Sequence, residues 1–250
     1  MNCYNGEQFL QEAVESVLQQ TYQNWELIFW DNRSTDRSPE IIGAYPDARI
    51  RYFLAEEHTP IGQARNLAID QAKGKWLGFL DCDDIWLKNK LSQQVTLLKN
   101  DPSDRIGIVY GNTLKFGKDV EETELYGKRE KWPEGDIFEA LLVQGNFIPM
   151  VSALVLKEAF YDIGKIPSHY VQAEDYYVFV AVSTKYEARY LEQPCCKYRF
   201  HENNLTKVQK REMVDEGIAI INAFKHRTDK RSQKIINHKV IPGLLKLLRK

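Results

Sequence analysis

The sequence predicts an α/β fold in which a mostly parallel sheet is flanked by helices. Strand-like and helix-like segments alternate about every twenty-five residues, the rhythm of βα units. The strand candidates are short apolar runs, as expected for strands buried on both faces. Each run ends abruptly in a polar or acidic turn, and ligands of such sheets bind at the carboxyl ends of the strands.

The elements follow in order. Met1-Asn2-Cys3-Tyr4-Asn5-Gly6 reads as a strand-to-helix turn bent by Asn-Gly, with almost no strand ahead of it. Glu7 to Gln20 forms an amphipathic helix, because Phe9, Leu10, Ala13, Val14, Val17 and Leu18 recur at helical spacing. Trp25 to Trp30 is a buried strand closed by Asp31-Asn32-Arg33-Ser34-Thr35-Asp36, which caps a helix running through Pro39 towards Ala44. Ile50 to Leu54 is a strand, Gly62 to Ala72 a helix stopped at Gly74, and Trp76 to Leu80 the next strand. A helix from Leu87 to Lys99 and a strand from Ile106 to Tyr110 complete this half.

Beyond Asn112 the pattern changes. Lys115 to Glu134 reads as a hairpin or mobile loop, Asp136 to Gln144 as a short helix, and Met150 to Leu156 as a strand. A helical turn is expected at Ala159 to Ile163. Glu174-Asp175 heads an apolar helix to Tyr186, followed by strands over Glu187 to Glu192 and Pro194 to Phe200. From Thr206 the chain reads as helical. Its last stretch, HKVIPGLLKLLRK, suits either a packed terminal helix or a basic segment lying on an anionic membrane.

Bulk properties narrow the function. The 250 residues are 43% hydrophobic and 28% charged, as in soluble globular proteins. Thirty-four basic against 35 acidic residues leave a net charge of −1, which gives no electrostatic footprint for nucleic acid. No apolar run reaches membrane-spanning length, and the opening residues do not have the form of a signal peptide. Four cysteines, with no zinc spacing, read as reduced thiols of a cytoplasmic protein.

The informative stretch is GKWLGFLDCDDIW, Gly74 to Trp86. Three carboxylates among Asp81, Cys82, Asp83 and Asp84 repel one another, and burial would add to the cost. A divalent cation offsets that, and Mg²⁺ and Mn²⁺ favour carboxylate oxygens. The alternative is a solvated acidic turn at a helix start.

Five segments in order, CYNGEQFLQEAVESVLQQTYQNWELIFWDNRSTD, GQARNLAI, WLGFLDCDDIW, AEDYYVFV and YRFH, together resemble the family-two glycosyltransferases. That resemblance implies a GT-A, Rossmann-like fold over residues 1–205. A nucleotide-sugar half is expected at 1–112, an acceptor half at 113–205 and a helical extension at 206–250. It also implies metal-dependent, inverting transfer from a nucleotide-diphosphate sugar to a glycan or lipid-linked glycan, in lipopolysaccharide or other bacterial surface polysaccharide synthesis. Tyr4 would stack on the base. Asp31 and Asn32 would recognise it, with Asn32 standing where the family usually has a second acid, and uracil is the expected base. Arg65 and Asn66 would help hold the nucleotide. Asp81 and Asp83 form the DxD motif, with Asp81 on ribose or metal and Asp83 on Mn²⁺ or Mg²⁺. Asp175 would be the catalytic base, Arg199 would approach the pyrophosphate, and His201 would join the metal ligands. Asp36 and Asp84 would cap helices, Asp84 alternatively orienting its neighbours. The family's first strand is apolar, whereas only Met1 and Asn2 precede Cys3, so a shortened strand and lower stability are expected. The competing expectation is a degenerate module that binds nucleotide or glycan without turnover. In either case the C-terminal segment could touch the inner face of the plasma membrane.

Overall fold

The computed structural model describes residues 1–118, 120–121, 124–127, 129, 131–202, 204 and 209–248. Strands β1 (Asn2–Cys3), β2 (Leu27–Asp31) and β3 (Ile50–Leu54) pair in parallel in that order. Their register sets Cys3 opposite Asp31, and Asp31 opposite Leu54. The carboxyl ends are therefore level, and the turns that follow share one rim. Helices α1 (Leu10–Leu18), α2 (Ser38–Gly43) and α3 (Ile61–Gln71) make the intervening connections, with Leu10, Ala13, Val14 and Val17 of α1 turned inward as the periodicity predicts.

The second sheet departs from the expected parallel pattern. Its strands are β4 (Trp76–Gly78), β5 (Ile85–Trp86), β6 (Ile106–Gly117), β7 (Leu154–Leu156) and β8 (Glu187–Phe200), ordered β4-β7-β6-β8-β5. Only β6 and β8 are parallel, and the other pairs are antiparallel. The α/β class holds, but the sheets are mixed. An apolar run buried on both faces reads alike in either direction, so periodicity does not report strand polarity.

Strands β6 and β8 are also longer than expected. Strand β8 runs unbroken through Pro194, the two runs expected there being one strand, and the pair is irregular between Gly111 and Thr113. Phe116 stands opposite Arg199, which carries that arginine from the core to the rim. Met150–Ser152 is a single 3₁₀ turn rather than the start of a strand. Helices α4 (Lys90–Asn100), α5 (Phe138–Gln144), α6 (Lys157–Asp162) and α7 (Glu174–Val182) complete this half. Its core gathers Tyr110, Leu141, Val155, Phe160 and Phe179. Ile220 and Ile221 of α8 (Lys210–Phe224) are buried in the same cluster, so the C-terminal extension is packed into the main core.

Between β2 and β4, which do not pair, lies a cavity of about 580 Å³ walled by Leu27, Ile28, Ala68, Leu77, Phe79 and Leu154. The Met1 ammonium sits at one end, donating to Ile28 O at 2.9 Å, and burial lowers its pKa to about 6. On the walls, Asn2 Nδ2 and Trp25 Nε1 are buried with no partner among the described residues. Strand β1 pairs with β2 only at Trp30 and Asp31, so the earlier part of β2 presents an open edge beside this cavity, where an extended segment could pair. Adding an apolar, β-branched tetrapeptide ahead of Met1 should raise Tm by roughly 5 °C or more, because it buries apolar side chains and frees the ammonium from the cavity. Equal melting of the extended and unextended chains, measured by calorimetry, would refute this.

Candidate active site

The rim is built by tying three turns together. Asn5 adopts a left-handed φ of 53°, and its Oδ1 accepts from Thr35 N at 2.8 Å. In return Ser34 Oγ accepts from Asn5 N, Ser38 Oγ from Gly6 N, and Asp36 Oδ2 from Glu7 N. Asp36 Oδ1 also accepts from Ser38 N at 3.0 Å, but the cap residue of α2 is Arg37, so Asp36 ties the turn ahead of the helix rather than capping it as expected. Cys82 joins the third turn to the first, donating its thiol to Asn2 O at 3.2 Å. Tyr4 projects from this rim 52% exposed, its ring centroid 4.2 Å from that of His58.

Behind the rim the expected base readers are already engaged. Asp31 is fully buried, with Oδ1 accepting from Ser34 N at 2.7 Å and Oδ2 from the Tyr52 hydroxyl at 2.8 Å. Burial, helped by that contact, pushes the Tyr52 hydroxyl up to about 12. Asn32 spends both ends of its amide on Thr59. Nδ2 donates to Thr59 O at 2.7 Å, and Oδ1 accepts from Thr59 N and Oγ1. A carboxylate could not do both, since it has no donor when ionised. The structure therefore shows Asn32 as the pin of the 58–59 loop, and that loop presents His58 to Tyr4.

The acidic turn is held from three sides. Asp84, buried and away from any helix cap, accepts from Arg199 N at 2.9 Å. Burial raises its carboxyl well above the usual range, with the Asp83 and Asp81 charges adding to it. The Arg199 guanidinium donates to Asp83 O at 2.7 Å and Glu12 Oε2 at 2.9 Å, between the rings of Phe9 and Phe116. It braces the turn from behind rather than reaching into the cleft. His201 Nε2 meets Asp83 Oδ2 at 2.9 Å. Burial, then the Asp81 charge, raises the Asp83 carboxyl.

Asp81 turns Oδ1 to Arg65 Nη2 at 3.0 Å. Among the described residues no three metal-ligating side chains converge, so the expected trio of Asp81, Asp83 and His201 is an Asp83–His201 pair with Asp81 beside it. The competing attraction of Arg65 is the physical reason. The remaining donors, a carboxylate and an imidazole on a turn of crowded acids, fit an ion such as Mn²⁺ that takes further oxygens from a phosphate.

Arg65, buried on α3, also contacts the Glu174 carboxylate and so bridges the acidic turn to α7. Asn66, expected at the nucleotide, instead clasps Ile166, donating Nδ2 to its carbonyl at 2.8 Å and accepting from its N–H at 3.1 Å. One helical step separates these two side chains by about 100°, which sends Asn66 away from the rim. Asp175 stands beside Glu174, with Oδ2 accepting from Asn146 Nδ2 at 3.0 Å and Oδ1 from Tyr176 N at 2.6 Å. Burial raises its carboxyl and Arg65 opposes the rise; burial likewise brings Glu174 up to about 7.

Several positioning residues escaped the sequence reading. Glu216 of α8 accepts from Val171, Gln172 and Ala173 N–H at 2.8–3.0 Å, taking the free donors ahead of α7 and fixing where Glu174 and Asp175 begin. Glu12, Tyr52, His58, Thr59 and Asn146 act at similar range. Asn146, isolated between Gly145 and an apolar run, carried the one local hint.

The family model described as "Glycosyl transferase family 2" matches residues 1–164. The chain is 30% identical over 216 residues to an Escherichia coli protein named UDP-Glc:alpha-D-GlcNAc-diphosphoundecaprenol beta-1,3-glucosyltransferase WfgD, covering 85% of this chain and 80% of that one. Its fold matches Staphylococcus aureus TarS 1–349 in complex with UDP-GlcNAc, with a TM-score of 0.75, 16% identity and coverage of 94% and 68% of the two chains. A longer TarS chain is matched over 40% of its length. The Pyrobaculum calidifontis mannosyltransferase PcManGT, in complex with GDP-Man and Mn²⁺, matches with a TM-score of 0.69, 19% identity and coverage of 96% and 67%. The motifs, the α/β architecture and these similarities converge, and the chain belongs to glycosyltransferase family 2, with the GT-A fold of that family and the activity of a glycosyltransferase.

Proposed function

We propose that this protein transfers a sugar, with inversion, from a UDP-sugar to a hydroxyl of a lipid-linked glycan in bacterial surface polysaccharide or lipopolysaccharide synthesis. The observation that carries the reading is the Asp81-Cys82-Asp83 turn, with His201 on Asp83 and with Arg65 linking Asp81 to the Glu174-Asp175 pair. The similarity to WfgD, named as a UDP-Glc-dependent glucosyltransferase acting on a diphosphoundecaprenol-linked sugar, supports the donor and acceptor classes. Tyr4 offers its exposed face to the base, beside His58. Asp31 acts from beneath through Tyr52 and the Ser34 turn.

Asp83 and His201 would hold a Mn²⁺ or Mg²⁺ ion, whose charge, when bound, stabilises the departing diphosphate. Asp175 takes the proton from the acceptor hydroxyl on the opposite face. No helix among the described residues is long and apolar enough to cross a membrane. The exposed Leu245 and Leu247, on either side of Lys246, would let the C-terminal helix rest on an anionic surface near a lipid-linked acceptor, at the inner face of the plasma membrane.

Thermal-shift titration with UDP, GDP and CDP, each with and without Mn²⁺, tests the donor site. UDP should stabilise the wild type only with metal, and Asp83→Asn should remove the metal dependence. No shift with any nucleotide would reject the donor site. A second reading, a module that binds without turnover, draws on the engaged state of Asp31 and Asn32. It predicts the same shifts with no UDP release when lipid-linked acceptors are supplied.

A further inference from the structure

Residues 124–126 run back along β6. Leu125 bridges Leu114 antiparallel, and Tyr126 N donates to Thr113 O at 2.8 Å. This places the Tyr126 ring 5.1 Å from Tyr198 and 6.5 Å from Phe200, which are themselves 5.4 Å apart. Tyr198 and Phe200 share one face of β8, and Arg199 between them points the other way, into the acidic turn. The strand thus has a bracing side and an aromatic side, and the next residue, His201, is the one on Asp83.

Further along, Arg129 packs beside the residue that holds the proposed base. The Arg129 guanidinium lies 4.7 Å from the Phe147 ring centroid, and the neighbouring Asn146 holds Asp175. The charges of Asp175 and Asp84, after burial, raise the Tyr126 hydroxyl, so the ring stands within the field of both acids. Tyr126 is nonetheless 36% exposed. An exposed aromatic packed on the strand that leads to His201, in a segment whose Arg129 packs on Phe147 beside Asn146, is well placed for the flat C–H face of a sugar ring, whose hydroxyl edge would then point to the base.

We infer that Tyr126, backed by Tyr198 and Phe200, is the platform on which a pyranose ring of the acceptor glycan stacks, with one hydroxyl directed towards Asp175. The inference rests on the glycosyltransferase reading above with Asp175 as base, and it adds the acceptor subsite and the class of its ligand. The cluster would select for a pyranose with a continuous axial C–H face and would read little of the lipid. The ring supplies the attraction, so the hydroxyl of Tyr126 is dispensable.

The test uses the full chain loaded with UDP and Mn²⁺. Saturation-transfer NMR is recorded with the methyl β-glycosides of glucose, galactose, mannose and N-acetylglucosamine. At least one should show saturation of its ring protons on the wild type. Tyr126→Ala should weaken that binding roughly tenfold, as expected for loss of an aromatic stack. Tyr126→Phe should keep it within about twofold by the same reasoning, and both variants should keep the UDP-induced thermal shift. Undiminished binding to Tyr126→Ala would overturn the inference, as would a UDP-loaded wild type that binds none of the glycosides. A wild type that UDP does not stabilise would overturn the donor site and the platform together, and that result appears before any glycoside is added.

Discussion

Asp175→Asn should reduce kcat by roughly 10²–10⁴-fold, the usual contribution of a positioned general base, while the Tm and the UDP-induced shift stay near wild type. The amide keeps the shape of the side chain and its one oxygen can still accept from Tyr176 N–H, while the NH₂ that replaces the oxygen facing Asn146 accepts nothing and takes no proton. A pH profile separates this role from a structural one. Burial holds the Asp175 carboxyl above the ordinary aspartate range. The base works only when ionised, so the wild-type rate falls as pH falls through that raised value. The acid limb of kcat/KM should therefore lie above the ordinary aspartate pKa. In Asp175→Asn the residual rate should lose that limb. An unchanged kcat, or a limb that survives the substitution, would assign the proton transfer elsewhere.

Arg65→Met should destabilise the fold by about 3–5 kcal/mol, the cost of leaving a buried charge unpaired, which for a chain of this size lowers Tm by roughly 10 °C. Two carboxylates depend on this guanidinium, and one of them, Glu174, is itself buried. The pH dependence follows from the sign of the Glu174 shift. Its folded-state pKa is raised to about 7 by burial even with Arg65 opposing the rise, and without Arg65 it should rise further. A raised acid destabilises the fold where it must ionise, above the folded value, and has no such effect below the unfolded one, near 4.5. The gap between wild type and variant should therefore narrow as pH falls from the alkaline side towards about 7 and stay level below it, where Glu174 is protonated in both folded forms and the unfolded chains titrate alike. Arg65→Met with Glu174→Gln should recover much of the loss, because the amide needs no counter-charge. Lost nucleotide binding with unaltered Tm would instead show that Arg65 serves the ligand, as its motif suggested.

The positions of the acids were legible in the sequence, and their partners were not. Short apolar runs leading into Asp31 and Asp81, with an amphipathic α1 before them, are local patterns set by side-chain alternation and helical period, and they pointed to a shared rim in advance. The Asp81-Cys82-Asp83 spacing, the Glu174-Asp175 helix start and the Tyr198-to-His201 run were likewise visible as motifs. Hydrogen bonds across 109 residues, from Arg65 to Glu174, or 118, from His201 to Asp83, carry no local signature. Only tertiary structure decided that Arg65 braces acids, that Asn66 clasps Ile166, that Asn32 pins Thr59 and that α8 seats α7 through Glu216. It decided strand direction in the second sheet for the same reason. Periodicity reports which face of a segment is apolar, whereas the partner that face or polar group meets depends on how distant elements dock.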